Sequence, residues 1–475
     1  MILAMNTEKP VWTHSFNKSS HHSLRTKRRH GGSLSNTARR RIGALFLIAS
    51  LMAVPVIARA QGWTLSSNLT LKAELTLKET YDDNVFILNK APTPGIVPPL
   101  GFIVSKPKRE SLVTSLMPSL ALNYRPSSAF VATLSYAPEF TWYHRARSED
   151  YAAHRAALNF NGQVGEVRYE WLNSAVWLDG SDEGYLTIRP GDCRCIGGIP
   201  LRDRRDAAIY RDSLRVTIPA GRWFVRPVVS AYVHDFQTKQ YPNLTPTQYL
   251  YDNFVDRWDV NGGLDLGYEA FTNTRLVVGY RYGHQEQGRL LGNKSPYSND
   301  YQRFLFGAEG TPASWIKLAI LAGPEVRDWP RMTNARFDQD EILWWIDGTI
   351  TVLPTAADTL VFRVTRFEQP AFTSHSVYED IKYDVTWRHK FTDKLTVGAG
   401  FTLYIGDWQG PVDREDWIYI PSVMASYAFN AHLTAEAAWS YDAAESRVAN
   451  GPTAPYASGR EFTRNLISLA VKYTF

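Results

Sequence analysis

The side chains able to do covalent or metal chemistry in this 475-residue chain are few and scattered. Two cysteines stand as Cys193-Arg194-Cys195, inside Arg189-Pro190-Gly191-Asp192-Cys193-Arg194-Cys195-Ile196-Gly197-Gly198. A pair this close oxidises in an oxidising compartment, here closing a small ring. A metal site would need further thiol or imidazole ligands, and none lies close in that segment. A loop disulfide is therefore the favoured reading, with free thiols or a metal as alternatives, and neither names a function. His154, His234, His284, His375, His389 and His432 stand apart from one another. No HExxH, GxSxG, P-loop or EF-hand pattern occurs. The sequence thus offers no catalytic residue, no metal set and no cofactor site. An enzyme reading would rest on a Ser and a His meeting at one rim, which chance supplies too easily to count.

Electrostatic chemistry is better represented. Arg211, Arg215, Arg226, Arg275, Arg281, Arg303 and Arg363 fall at alternate positions opposite apolar side chains, as do Glu166, Glu170, Asp265, Asp380 and Asp384. On strands, alternate residues face opposite ways. A charge facing lipid near the membrane midplane costs about 2–4 kcal/mol, so these residues are expected to line the interior of a barrel. Two readings stay open: opposed strips that set a transverse field for hydrated solutes, or pairs that satisfy one another and fill the interior.

The elements that would position them alternate with period two throughout. Leu69, Leu71, Ala73, Leu75 and Leu77 share one face, with Lys72, Glu74, Thr76 and Lys78 opposite. Leu395, Val397, Ala399, Phe401, Leu403 and Ile405 form another apolar face. Eight tight connections recur, near 125–128, 162–165, 219–222, 269–274, 310–314, 354–358, 391–394 and 430–432. Nine longer polar segments alternate with them, near 82–111, 143–151, 179–207, 235–256, 284–299, 323–340, 367–376, 406–415 and 442–460. Seventeen connections imply eighteen strands, with sixteen as the alternative. Short turns on one side and long loops on the other predict an all-β transmembrane antiparallel barrel with periplasmic turns and extracellular loops. Trp142, Tyr169, Trp171, Trp258, Trp315 and Trp387 gather near strand ends, as interfacial girdles do.

The ends fit that expectation. Residues 1–41 are polar and basic, about 16 apolar residues broken by Pro55 follow, and Ala58-Arg59-Ala60 offers a small-x-small site. The apolar run falls short of the roughly 20 residues of a helical span, so residues 1–60 read as a cleaved signal peptide and 61–475 as one barrel domain. Of 52 Lys and Arg and 47 Asp and Glu, ten bases and one acid lie in that leader, leaving 42 against 46 and a net charge of −4. No nucleic-acid partner is implied.

The last strand, ending Val471-Lys472-Tyr473-Thr474-Phe475, resembles the terminal strand of bacterial outer-membrane barrels. That resemblance makes Tyr473 and Phe475 an expected signal to the barrel-assembly machinery. Glu79-Thr80-Tyr81-Asp82-Asp83-Asn84-Val85-Phe86, following a first strand, is similar to the start of the outer-membrane β-barrel porin type 2 family. The resemblance implies an outer-membrane channel for hydrophilic solutes, with exopolysaccharide export among the roles of relatives, and supplies no catalytic residue. A non-conducting surface platform is the second reading and an outer-membrane hydrolase the third. The Pro-rich stretch Ala91 to Leu100 is expected not to pair in a ladder and either to fold inward as a constriction or to stay outside as a flap.

Overall fold

A computed structural model describes residues 62–87, 96–97, 101–102, 109–180, 206–238, 255–289, 293–371, 377–410, 413–448 and 461–475. The expected signal peptide, Cys193, Cys195 and His375 lie outside the described residues.

Eighteen antiparallel strands close into a barrel. They are β1 (Leu69–Asp82), β2 (Ser111–Ser127), β3 (Phe130–Tyr143), β4 (Tyr151–Val164), β5 (Val167–Asp179), β6 (Ala207–Ala220), β7 (Trp223–Phe236), β8 (Arg257–Phe271) and β9 (Thr274–Gln287). The second half comprises β10 (Asn299–Ala313), β11 (Ile316–Asp328), β12 (Leu343–Val352), β13 (Asp358–Pro370), β14 (Val377–Lys390), β15 (Leu395–Trp408), β16 (Arg414–Ala428), β17 (Leu433–Val448) and β18 (Phe462–Thr474). Each strand pairs with the next, and β18 returns to β1 in a ladder from Glu74↔Thr474 to Asp82↔Leu466. Closure pairs each of the eighteen strands on both sides along most of its length.

All eight tight connections are turns at one end of the barrel, and the strand ends that flank the nine long segments lie at the other. Gly165 and Gly221 take φ of +60° and +66° in two-residue turns, a region that suits the twist of a hairpin and that L side chains avoid. A four-residue strand, Trp63–Ser66, folds back on the start of β1 (Trp63↔Leu71), an element the sequence reading did not separate. The Pro-rich stretch also differs from expectation: Ile96↔Phe102 and Val97↔Gly101 pair as two short antiparallel strands.

The two faces differ as the alternation requires. Leu134, Leu158, Val229, Leu264, Val278 and Leu469 are exposed on the outer face. The inner face is identified by contacts that skip strands, which in a closed barrel can cross only through the interior: Arg226 on β7 bonds Glu309 on β10. Aromatic pairs band the outer face at both levels. Trp171 stacks on Phe160 at 5.4 Å and Trp223 packs on Tyr268 at 4.6 Å near the turn end, while Trp177 meets Tyr210 at 6.1 Å nearer the loop end.

Candidate functional site in the lumen

One wall of the interior, β7 to β11, is filled by an ionic ladder. Arg226 Nε donates to Asp265 Oδ2 at 2.9 Å, Arg281 Nη2 lies 2.7 Å from Asp265 Oδ1, and Arg226 Nη1 reaches Glu309 at 2.9 Å. Arg275 lies 3.6 Å from the same Glu309. One strand further on, Arg303 pairs with Glu325, and Arg327 Nε donates to Glu325 Oε1 at 2.8 Å. Gly279 stands directly across from Asp265, and a Cβ there would lie 2.4 Å from Asp265 Oδ1. A missing side chain therefore gives the carboxylate its place between two guanidiniums.

The same wall holds a strap. Beyond Arg366, β13 leaves its ladder with β12, whose last pair is Ile346↔Arg366, and stays paired only with β14. The freed end crosses the interior towards β8, β9 and β11. Its backbone carbonyls are met there: Glu368 O accepts from Arg327 Nη2 at 2.7 Å and from Gln285 Nε2 at 3.2 Å. Pro370 O accepts from Arg257 Nη1 at 2.6 Å, and Ala371 O accepts from Gln287 Nε2. Gln409 Nε2 holds the Glu368 carboxylate from the far side at 2.9 Å. Each bond satisfies a polar group that the departure from the sheet would otherwise leave unpaired.

A second inward element is the start of the first long loop. Asp82 takes 2.7 and 3.0 Å hydrogen bonds from Arg464, whose Nη1 lies 3.9 Å from Asp442, so β17, β18 and β1 are tied at the closing seam. Asp83 accepts from the Asn465 backbone and side chain at 2.8 and 3.0 Å, and Asn84 Nδ2 donates to Thr463 O at 2.9 Å. These contacts turn the chain inward, and Val85, Phe86 and Ile87 are buried. Ile87 takes φ +51°, a conformation costing a β-branched residue of order 1–3 kcal/mol that surrounding packing must hold. It belongs to one buried cluster with Ala207 and Phe236 from β6 and β7, and Tyr404, Ile418, Ala444 and Phe462 from β15 to β18. That apolar cluster crosses the loop end of the lumen, joining opposite walls.

Two cavities flank these elements. One, about 490 Å³, lies against β1 to β4 and β14 to β18, where Gly398, Gly400, Ser422, Ala438, Ser440 and Ser468 keep the wall low. The other, about 750 Å³, is lined by polar groups such as Asn159, Arg211, Tyr232, Asp259 and Asn261, and by Phe367 and Gln369 of the strap.

The charged residues singled out from sequence are placed as follows. Arg226, Arg281, Arg303 and Asp265 come together in the ladder, with Arg275 at its turn-end margin. Arg211 lies over the Tyr232 ring at 5.3 Å. Arg215 is the cross-strand partner of Glu170, and Arg363 that of Asp384. Asp384 also accepts from Lys382 at 2.8 Å and from Thr402 at 2.6 Å, and Asp380 is buried beside Gln369. Glu166 sits instead in the Gly165-Glu166 turn, exposed at the rim, because β4 runs on to Val164 and the turn begins there. Within the ladder acids and bases meet at close range, but Arg226, Arg275, Arg281, Arg303 and Arg327 outnumber Asp265, Glu309 and Glu325, so five bases face three acids. The histidines keep to separate contacts: His154 with Tyr136, His234 on Phe236, His284 with Asp300, His389 with Asp358, His432 with Thr474 O. Among the described residues no group of three or more His, Cys, Asp or Glu is placed to hold a metal ion. Arg257, Gln285, Gln287, Glu325, Arg327, Glu368, Asp442 and Arg464 were not singled out from sequence. Their signal was the same alternation, continued past the outer apolar belt.

No family model matches the chain, so the resemblance carried by Glu79 to Phe86 stands without that support. No curated protein matches it either. Solved structures similar to it are outer-membrane β-barrels. The outer membrane protein OpdK from Pseudomonas aeruginosa matches at 9% identity and TM-score 0.41, over 85% of this chain and 99% of that one. The siderophore receptor PiuA from Acinetobacter baumannii matches at 10% and 0.41, over 86% and 82%. OccAB3, from the same organism, matches at 10% and 0.37, over 85% and 99%.

Proposed function

We propose that the chain is an outer-membrane channel for hydrophilic solutes, with turns on the periplasmic side, loops outside and the lumen narrowed at the loop end by the strap and the Ile87 cluster. The carrying observation is the combination of a closed eighteen-strand wall, an apolar outer belt edged by aromatics, and polar cavities within. A barrel of this strand number is wide enough for an aqueous lumen unless segments fill it. The ladder charges are paired at close range with arginines in excess of acids, so their fields cancel only in part and a modest preference for anions is expected. Residues 1–60 act as a cleaved secretion signal, and Tyr473 and Phe475 present the last strand to the assembly machinery. An extracellular polysaccharide as the solute rests on the Glu79–Phe86 resemblance alone.

Single-channel recording on the refolded chain from residue 61 tests the channel. Steady ohmic steps are expected, and they should grow in the Gln285→Ala/Gln287→Ala variant. That pair removes two donors to the strap, each contributing about 1 kcal/mol. A folded, heat-modifiable barrel silent in both forms would sink the reading. It would leave the surface platform, which the apolar cluster across the lumen favours.

A further inference from the structure

The outer face carries a polar pair in the middle of its apolar belt. Asp212 on β6 and Asn173 on β5 are direct cross-strand partners, and both face outward: Asp212 accepts from the indole of outward-facing Trp171 at 2.8 Å. Along β5, Asn173 lies between Trp171 and Trp177, and along β6 Asp212 stands two residues below Tyr210, so the pair sits between the two aromatic levels. Outward side chains elsewhere in the belt are apolar at Leu264, Val278, Phe401 and Leu469, and the outward carboxylate of Glu79, across from Leu469, is held by the Thr114 hydroxyl and His144. A carboxylate facing acyl chains has no water to solvate it, and one indole N–H leaves most of its acceptor capacity unused.

The surroundings are shaped as well as polar. A groove of about 300 Å³ runs over Ala156, Asn173, Ala175 and Asp212, with Leu134 and Tyr210 as rims. On its β4 flank stands His154, outward, with Nδ1 bonded to Tyr136 OH at 2.7 Å. Its ring stacks on Tyr136 and meets Phe140 edge-on, and among the described residues Nε2 has no hydrogen-bond partner. His154 and Asp212 thus lie on opposite sides of β5 at similar distances from their turns. A two-fold axis along the barrel axis, passing over Ala175, places β4 of one copy against β6 of the other. Each imidazole then faces the other copy's carboxylate.

We propose that this face is the contact between two copies of the chain, with Ala175 at the axis and the His154–Asp212 pair formed twice. The complementarity is to the chain's own surface: the base and the acid lie in mirrored positions around one groove.

The test uses the folded chain from residue 61 in detergent. Native mass spectrometry is expected to show a dimer. In a Cys193→Ser/Cys195→Ser background, Ala175→Cys is expected to form a disulfide between copies, while Leu403→Cys on β15 forms none. Ala175→Trp, which fills the groove, should give a monomer that keeps its heat-modifiable mobility. Asp212→Asn, which removes both pairs at once, should raise the dimer dissociation constant on the order of a hundredfold, about tenfold for each desolvated charge pair lost. A folded monomer at every concentration, or equal cross-linking at both cysteine positions, overturns the proposal. So does a retained lipid or a different protein that Ala175→Trp releases.

Discussion

The two halves of the lumen are built from the same alternation to opposite ends. On β7 to β11 the inner positions carry long charged side chains that meet across several strands, as Arg226 meets Glu309. On β15 to β18 several of them are small, at Gly398, Gly400, Ser422, Ala438, Ser440 and Ser468, and a cavity of about 490 Å³ lies against them. The first wall is rigid because each charge is held by its neighbours and a buried charge without partners is costly. The second is permissive below the Ile87 cluster, where the small side chains lining the cavity do not reach across. A passage is expected to follow the second wall and to be shaped by the first.

The largest effect that would break this contrast is on stability. Glu325 is buried between Arg303 and Arg327. Glu325→Gln leaves two buried guanidiniums without their shared carboxylate and should cost about 3–5 kcal/mol. Denaturant unfolding of the barrel in detergent or lipid measures it. A change below about 1 kcal/mol would show that the ladder is hydrated and not a rigid wall.

The opposite wall should respond the other way. Ser440→Trp places a large side chain into the cavity from β17, where Ser422 is its direct cross-strand partner. Stability should change by less than about 1 kcal/mol, while single-channel conductance falls several-fold. Unchanged conductance would move the passage to the 750 Å³ side.

Strand number, turn side and the facing of Arg226, Arg281 and Asp384 were legible because lipid-facing positions must be apolar and period two then fixes their neighbours. The strap and much of the ladder were not. The segments near 284–299, 323–340 and 367–376 read as loops, yet β9 continues to Gln287, β11 to Asp328 and β13 to Pro370. Above the apolar belt the outward positions turn polar, as His284, Glu286 and Asp300 show, so the alternation loses contrast while the strand continues. Gly323-Pro324 added a turn signal, but Pro324 lies in β11 opposite Trp344. Glu325 and Arg327 were hidden behind it. Nor does any sequence period report that β13 meets β9, since that contact skips three strands. The inward turn of Ile87 likewise depends on Asp83 and Asn84 finding Thr463 and Asn465, at the other end of the chain.

The smallest expected effect lies where the strap meets the loop before β12. Glu341 accepts from Gln409 Nε2 at 2.9 Å, the same amide that holds Glu368. Partial burial raises the Glu341 pKa, Asp338 and Asp407 raise it further, and Arg366 offsets part of the rise. A carboxyl raised on folding favours the folded arrangement most below its unfolded value, and that contribution fades as pH climbs through the folded value. The strap should therefore be held more firmly in acid than at neutral pH. Hydrogen exchange at Glu368, Gln369 and Ala371, corrected for the intrinsic pH dependence of exchange, should show more protection in acid, and Glu341→Gln should flatten the difference. Because Glu341 is exposed, solvent screening keeps the effect small. Protection that instead rose with pH would mean Glu341 acts as an anion held by Arg366, tying the strap to the loop by charge and not by the shared amide.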